Sequence, residues 1–229
     1  MNETIENATF KINEIKNNIK KVKVHFWNSL TVSARSVITK NMKADIVDEG
    51  YDNFIQLTKT YNVALPIQML IFRKFLEMNI DDKEDFVLIS FDNQSKKTIQ
   101  NNLPNRNDFL FVLHPQFLPP ESGKIGHWVL SVYDKGRSRI YVLNSLSSWK
   151  VHHSVLNDVF PDALCLKLDK IPQQNSIDCG YWCLFYEFLI SCVSKSMDSF
   201  EAVLKGTAHL MDDFKFIVNS LTEYCRKKM

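Results

Sequence analysis

In IPQQNSIDCGYWCLFYEFLI, residues 171–190, a cysteine stands between a carboxylate and a glycine where a loop gives way to a long apolar run. A packing cysteine needs none of that company, and a nucleophile uses all of it. The thiolate is the reactive form, and a helix N-terminus lowers a thiol pKa by presenting partial positive charge. Cys179 sits where the apolar helix begins, and Gly180 leaves room for a substrate backbone. Gln173 and Gln174 lie six and five residues upstream, where a loop amide can donate to a developing oxyanion. His127 is the candidate to take the thiol proton, completing the nucleophile–base pair of a covalent catalyst.

A third residue follows from hairpin arithmetic. HWVLSVYD (127–134) and SRIYVLNSL (138–146) read as apolar strands joined near Lys135-Gly136. A two-residue turn there, with glycine taking positive φ, brings His127 opposite Asn144. Directly opposed Cβ atoms lie roughly 5 Å apart. The amide oxygen can then hold one imidazole nitrogen and leave the other to accept a proton. A longer turn or a bulge breaks this register, and a polar pair at a strand end can also simply satisfy itself.

The other chemistry-bearing residues read as structural. Cys165, Cys183, Cys192 and Cys225 lie in apolar or helical contexts. Cys183 comes one helical turn after Cys179, but no second Cys or His pair matches it and His152-His153 are adjacent rather than spaced, so no metal site is expected. His25, His114 and His209 stand alone and read as surface or packing residues. An odd number of cysteines, five, is no disulfide framework.

These residues must be positioned by elements, and the chain supplies them in a clear order. Ile5, Ile12, Ile15, Ile19 and Val22 form an apolar stripe on an N-terminal helix that ends in lysines, read as a helix docked on the domain rather than a membrane-surface helix. Residues 31–62 read as helices and loops. IQMLIFRKFLEM (67–78) is an apolar helix with Pro66 near its first turn. Strands follow at 85–91, 107–116, 127–134, 138–146 and 163–169, with a Pro/Gly-rich loop at 118–126. Helices run from about Cys179 to Cys192 and from about Phe200 to Lys227. Helices before a central run of strands and helices after it make an α+β domain. The division expected is a helical extension over 1–60 and a catalytic domain over 61–229. A formal charge of +2 makes no case for nucleic acid, and no such partner is expected. The longest apolar run is broken by Glu187, so no membrane span is expected, and the N-terminus lacks the apolar core of a signal peptide. A reducing compartment is expected, cytoplasmic or nuclear, or a host cell if the source is a parasite, symbiont or virus.

The segments GHWVLSVYD, YVLNSL and PQQNSIDCGYWC, taken together, resemble the ubiquitin-like-protein proteases, the SUMO/sentrin-specific family distantly related to the adenovirus protease. They are most similar to its small deneddylase branch. The likeness is specific over 107–190, weaker over 64–106 and 191–229, and absent over 1–60. It implies a papain-like or adenovirus-protease-like fold, a central mixed sheet flanked by helices. It implies His127 as general base, Cys179 as nucleophile, Asn144 as the orienting residue and Gln173 as the oxyanion-hole residue, with Gln174 as the fallback. Trp128 would roof a narrow tunnel for a C-terminal Gly-Gly, and Asp178 and Gly180 belong to the nucleophile turn. The family usually has Asp where this chain has Asn144. Its Trp-Leu-Asn-Asp opening is replaced by ALPIQ (64–68).

The resemblance thus implies a cofactor-free, monomeric cysteine peptidase that cleaves after the Gly-Gly of a ubiquitin-like modifier (SUMO, ubiquitin or the cullin modifier) through a Cys179 thioester. The alternatives are an acetyltransferase of the same clan, a pseudo-protease that binds a modifier without cutting it, and a viral-type peptidase acting on Gly-Gly-X sites.

Overall fold

The computed structural model describes residues 2–49 (side chains through 44), 66–90, 94–104, 109–118, 126–146, 151, 154–168 and 178–229. Gln173 and Gln174, His152-His153, most of the 118–126 loop and the expected division at residue 60 lie outside these residues.

Three helices open the chain: α1 (Asn2–Asn17), α2 (Ile19–Ser29) and α3 (Val32–Glu49), and α4 (Pro66–Asn79) follows. Then come β1 (Phe86–Leu88), α5 (Lys96–Asn102), β2 (Phe111–Leu118), β3 (His127–Asp134), β4 (Arg139–Leu143), α6 (Val155–Val159) and β5 (Leu164–Leu168). The chain closes with α7 (Cys179–Phe188), a π-helical stretch (Leu189–Ser194), α8 (Phe200–Thr207), a 3₁₀ turn (Ala208–Leu210) and α9 (Met211–Arg226). This is the α+β class expected: a five-stranded mixed sheet in the order β1-β2-β3-β4-β5, with helices on both faces. β1–β2 and β4–β5 pair parallel, whereas β2–β3 and β3–β4 pair antiparallel.

Strand alternation divides the core. Phe111, Leu113, Leu130, Val132, Tyr141 and Leu143 point to one face, into a large cluster with the buried side chains of α7 and α9. Val112, Val129, Ile140 and Val142 point to the other, against Ile99 of α5 and Leu156 of α6. A strand buried on both faces loses the apolar–polar alternation, which is why β3 reads as a nearly continuous apolar run. Ala8, Ile12, Phe26, Ile38 and Met42 of the first three helices belong to the large cluster, so α1–α3 pack into the same core as the sheet. Among the described residues no helix is long and apolar enough to cross a membrane.

The β3–β4 turn differs from expectation. Asp134 pairs with Arg139 and Leu130 with Leu143, leaving a four-residue connection, 135–138. Asp134 organises it: one carboxylate oxygen accepts from the Arg137 backbone N–H at 3.2 Å and the other from its guanidinium at 2.9 Å. The left-handed residue is Ser138 (φ 50°), not Gly136. Continued outward, this register puts Val129 rather than His127 across from Asn144. A buried carboxylate that captures the turn outweighs a glycine that merely permits a tighter one.

The long helices also divide. The run expected to end at Cys192 turns π-helical after Phe188 and stops at Lys195 in the left-handed region (φ 51°), whose N–H bonds Ile190 O at 2.8 Å. The run from Phe200 is broken by the 3₁₀ turn at Ala208–Leu210. Pro115 lies two residues beyond Leu113, the last residue of β2 paired with β1, so its missing N–H costs that ladder no bond among the described residues. The Gln94 side chain lies there instead, donating to Pro115 O at 3.1 Å and accepting from Phe117 N at 3.0 Å.

Candidate active site

His127 is the first residue of β3, and Asn144 follows the last residue of β4. Both are buried. Diagonal neighbours on one sheet face lie within reach of long side chains, and His127 Nε2 meets Asn144 Oδ1 at 2.9 Å. The contact expected from direct pairing therefore forms through a diagonal one. Asn144 Oδ1 also accepts from the Leu146 N–H at 2.9 Å, which fixes the orientation of the carboxamide. Since Oδ1 can only accept, Nε2 carries the ring proton, and Nδ1 is the basic nitrogen of the neutral imidazole.

Cys179 opens α7, which lies against β3. Its thiol is almost fully buried. Three backbone amides favour the thiolate: those of Trp128, Gly180 and Cys179 itself. Trp128 is the residue after His127, so the start of the helix and the start of the strand converge at one place.

Electrostatically the site departs from expectation. Burial pushes the Cys179 thiol above its ordinary range; the amides pull it back only in part, and the neighbouring Asp178 carboxylate pushes the same way as burial. Burial also lowers the His127 pKa below its ordinary 6.5, against the opposing effect of the Asn144 bond. Both shifts favour a resting pair of neutral thiol and neutral imidazole over a preformed ion pair. The helix N-terminus acts as expected in sign, but desolvation of a nearly buried thiol is the larger effect.

Trp128 is half-buried on the strand face opposite His127, and its ring lies 5.0 Å from that of Phe117. Phe117 is 39% exposed and is paired with Trp128 across β2–β3. Gly126 makes room for it: a Cβ there would come within 2.2 Å of Phe117 Cζ. Phe117 escaped the sequence reading, because its pairing with Trp128 is a matter of register between two strands.

Asp178 and Gly180 are both buried. Asp178 Oδ2 lies 2.6 Å from Lys215 Nζ of α9. Lys215 was also missed; its signal is a lysine within the apolar stripe Met211, Phe214, Val218, Leu221, Thr222 of α9. Gln68, the last residue of ALPIQ, is committed to the scaffold, donating to Asn219 Oδ1 at 2.6 Å and to Tyr181 OH at 3.3 Å.

The other cysteines are free thiols. Burial pushes Cys183 well above the ordinary range and Cys225 up to about 12, as befits packing residues. His114 is fully buried within β2, whereas His25 and His209 are exposed.

No protein-family model matches the chain, and no curated protein matches it in sequence. Its fold is similar to solved structures of the SUMO protease Ulp1. One, with the catalytic cysteine oxidised to a sulfenic acid, is 15% identical with a TM-score of 0.46, over 81% of this chain and 97% of that one. Another, with that cysteine as a sulfinic acid, is 17% identical with a TM-score of 0.43, over 66% and 78%. The X-ray structure of the C-terminal Ulp1 protease domain in complex with Smt3, the yeast ortholog of SUMO, is 16% identical with a TM-score of 0.40, over 64% and 75%. Scores at this level carry no argument for chemistry, which has to rest on the residues of this chain.

Proposed function

We propose that the protein is a cysteine peptidase that cleaves after the C-terminal Gly-Gly of a ubiquitin-like modifier. One observation carries the reading: His127, whose Nε2 bonds Asn144 Oδ1 at 2.9 Å, opens the strand against which the helix begun by Cys179 packs. The motif likeness around these residues supplies the substrate class. SUMO, ubiquitin and the cullin modifier all end in Gly-Gly, and the modifier accepted is set by the surface that meets the modifier body.

The chemistry follows from the neutral resting pair. As substrate binds, His127 Nδ1 takes the thiol proton and the sulfur attacks the carbonyl carbon of the terminal glycine. The tetrahedral oxyanion is met by donors at the helix start, with Gln173 proposed among them. Collapse expels the amine, which leaves with the proton held by His127, and a thioester remains. Water then attacks; His127 takes its proton, returns one to the sulfur, and the modifier departs with a free carboxylate. Asn144 holds the ring in the required tautomer throughout.

The test is a panel of modifier probes, each bearing a C-terminal electrophile. Capture by wild type, abolished in Cys179→Ala and lost in a folded His127→Ala, is the expected result. A modifier that binds reversibly while no probe reacts would establish the pseudo-protease reading instead.

A further inference from the structure

We propose that Lys215 is a positioning residue for the nucleophile: by drawing the Asp178 carboxylate away from the start of α7, it reserves the amides there for the Cys179 sulfur. This rests on the reading of Cys179 as nucleophile.

Asp178 is the N-cap residue of α7. An aspartate there ordinarily accepts a hydrogen bond from the second or third helical amide, satisfying one of the orphan donors of the first turn. Asp178 makes no such bond. The second helical residue is Gly180, the neighbour of Cys179, and its amide favours the thiolate. A capping carboxylate and the thiolate thus draw on the same donor, and Asp178 does not take it.

Lys215 accounts for the outcome. Its ammonium lies 2.6 Å from Asp178 Oδ2, in a pair whose side chains are only 10% and 7% exposed, and 5.7 Å from the ring centroid of Tyr181. The other oxygen, Asp178 Oδ1, is buried and has no hydrogen-bond partner among the described residues. Leaving a buried carboxylate oxygen unpaired is costly, and a turn toward its own helix is the nearest remedy. The ion pair to α9 holds the carboxylate away from it.

Position and charge act together. On its own helix Cys179 faces the Asp178 carboxylate and the Cys183 thiol. Across from it, on β3, stands the Trp128 amide. Asp178 in turn acts on Tyr181 and Tyr186 of α7 and faces Lys215 on α9. Lys215 is the cation the structure sets against that carboxylate. Without it, Asp178 would keep its repulsion of the thiolate and be free to swing onto the Gly180 amide.

Iodoacetamide alkylation of the folded protein, with each cysteine followed by peptide mass spectrometry, reads the thiol without any substrate. In Lys215→Met the Cys179 profile should move to higher pH, with alkylation at neutral pH slowed about tenfold. Cys165, half-buried on β5, should be unmoved. Lys215→Arg, which keeps the charge, should restore the wild-type profile. So should Asp178→Ala combined with Lys215→Met, because nothing then remains to occupy the amide or repel the thiolate. If Lys215→Met fails to fold, Lys215→Gln carries the same test with a smaller shift expected. A wild-type profile in the single variant, or a double variant as slow as the single, would overturn the proposal. Failure of every modifier probe would sink the peptidase reading and leave this measurement standing.

Discussion

The two ends of α7 each bury a carboxylate against a cation from another helix, and the pairs are built differently. At the far end Glu187, with no exposed surface, faces Arg73 of α4 with both oxygens: Nε donates to Oε2 at 3.0 Å, and Nη2 lies 2.9 Å from Oε1 as an ion pair without hydrogen-bond geometry. Arg73 also donates to the Ile89 carbonyl just past β1. A planar guanidinium suits this forked engagement and ties α4, α7 and the sheet together. At the near end Asp178 meets a single ammonium and leaves one oxygen unpaired. The pair remote from the sulfur serves cohesion. The pair beside it forgoes a helix cap, and the amide that a cap would take is left to favour the thiolate.

The largest effect should come from the cohesive pair. Arg73→Met strands a buried carboxylate and should cost about 3–5 kcal/mol in urea unfolding. In the fraction that remains folded, Cys179 should alkylate with the wild-type pH profile. A shift as large as that of Lys215→Met would erase the distinction between the two ends.

A smaller effect separates them by pH. Burial, only partly offset by Arg73, raises Glu187 from 4.5 to about 7. The folded state therefore keeps a proton that the unfolded state has lost between those values. The contribution of this group is fully present below 4.5 and lost as pH climbs to about 7. Urea midpoints of wild type relative to Glu187→Gln should fall across that window and level off above it. A flat difference would mean that Glu187 is ionised throughout.

The smallest effect concerns the base. With the His127 pKa below 6.5, the acid limb of kcat/KM should lie below that pH. Asn144→Asp keeps the acceptor that His127 uses and adds a charge that favours imidazolium, so the limb should move to higher pH with activity equal or greater. A collapse of activity would remove Asn144 from the site.

Much of this was legible from local pattern. The apolar helix over 67–78 and the strand over 127–134 appear as α4 and β3, because periodicity and composition are properties of neighbouring residues. Arg73 and Glu187 were visible as charges interrupting apolar runs, yet nothing local says that they meet. Lys215 lies 37 residues from Asp178, beyond any motif. The turn misread is instructive: Gly136 advertises a two-residue hairpin, and the Asp134 carboxylate overrides it from inside the fold.

By itself, then, the amino-acid sequence determined the α+β order of elements and nominated the cysteine, the histidine and the carboxamide, since side-chain chemistry and short-range spacing are written along the chain. Only the tertiary structure decided the diagonal route by which His127 reaches Asn144, the ion pair that engages Asp178, and the burial that raises the Cys179 pKa and lowers that of His127. Register, partner choice and desolvation depend on which distant segments exclude water together, and that is set only when the chain packs.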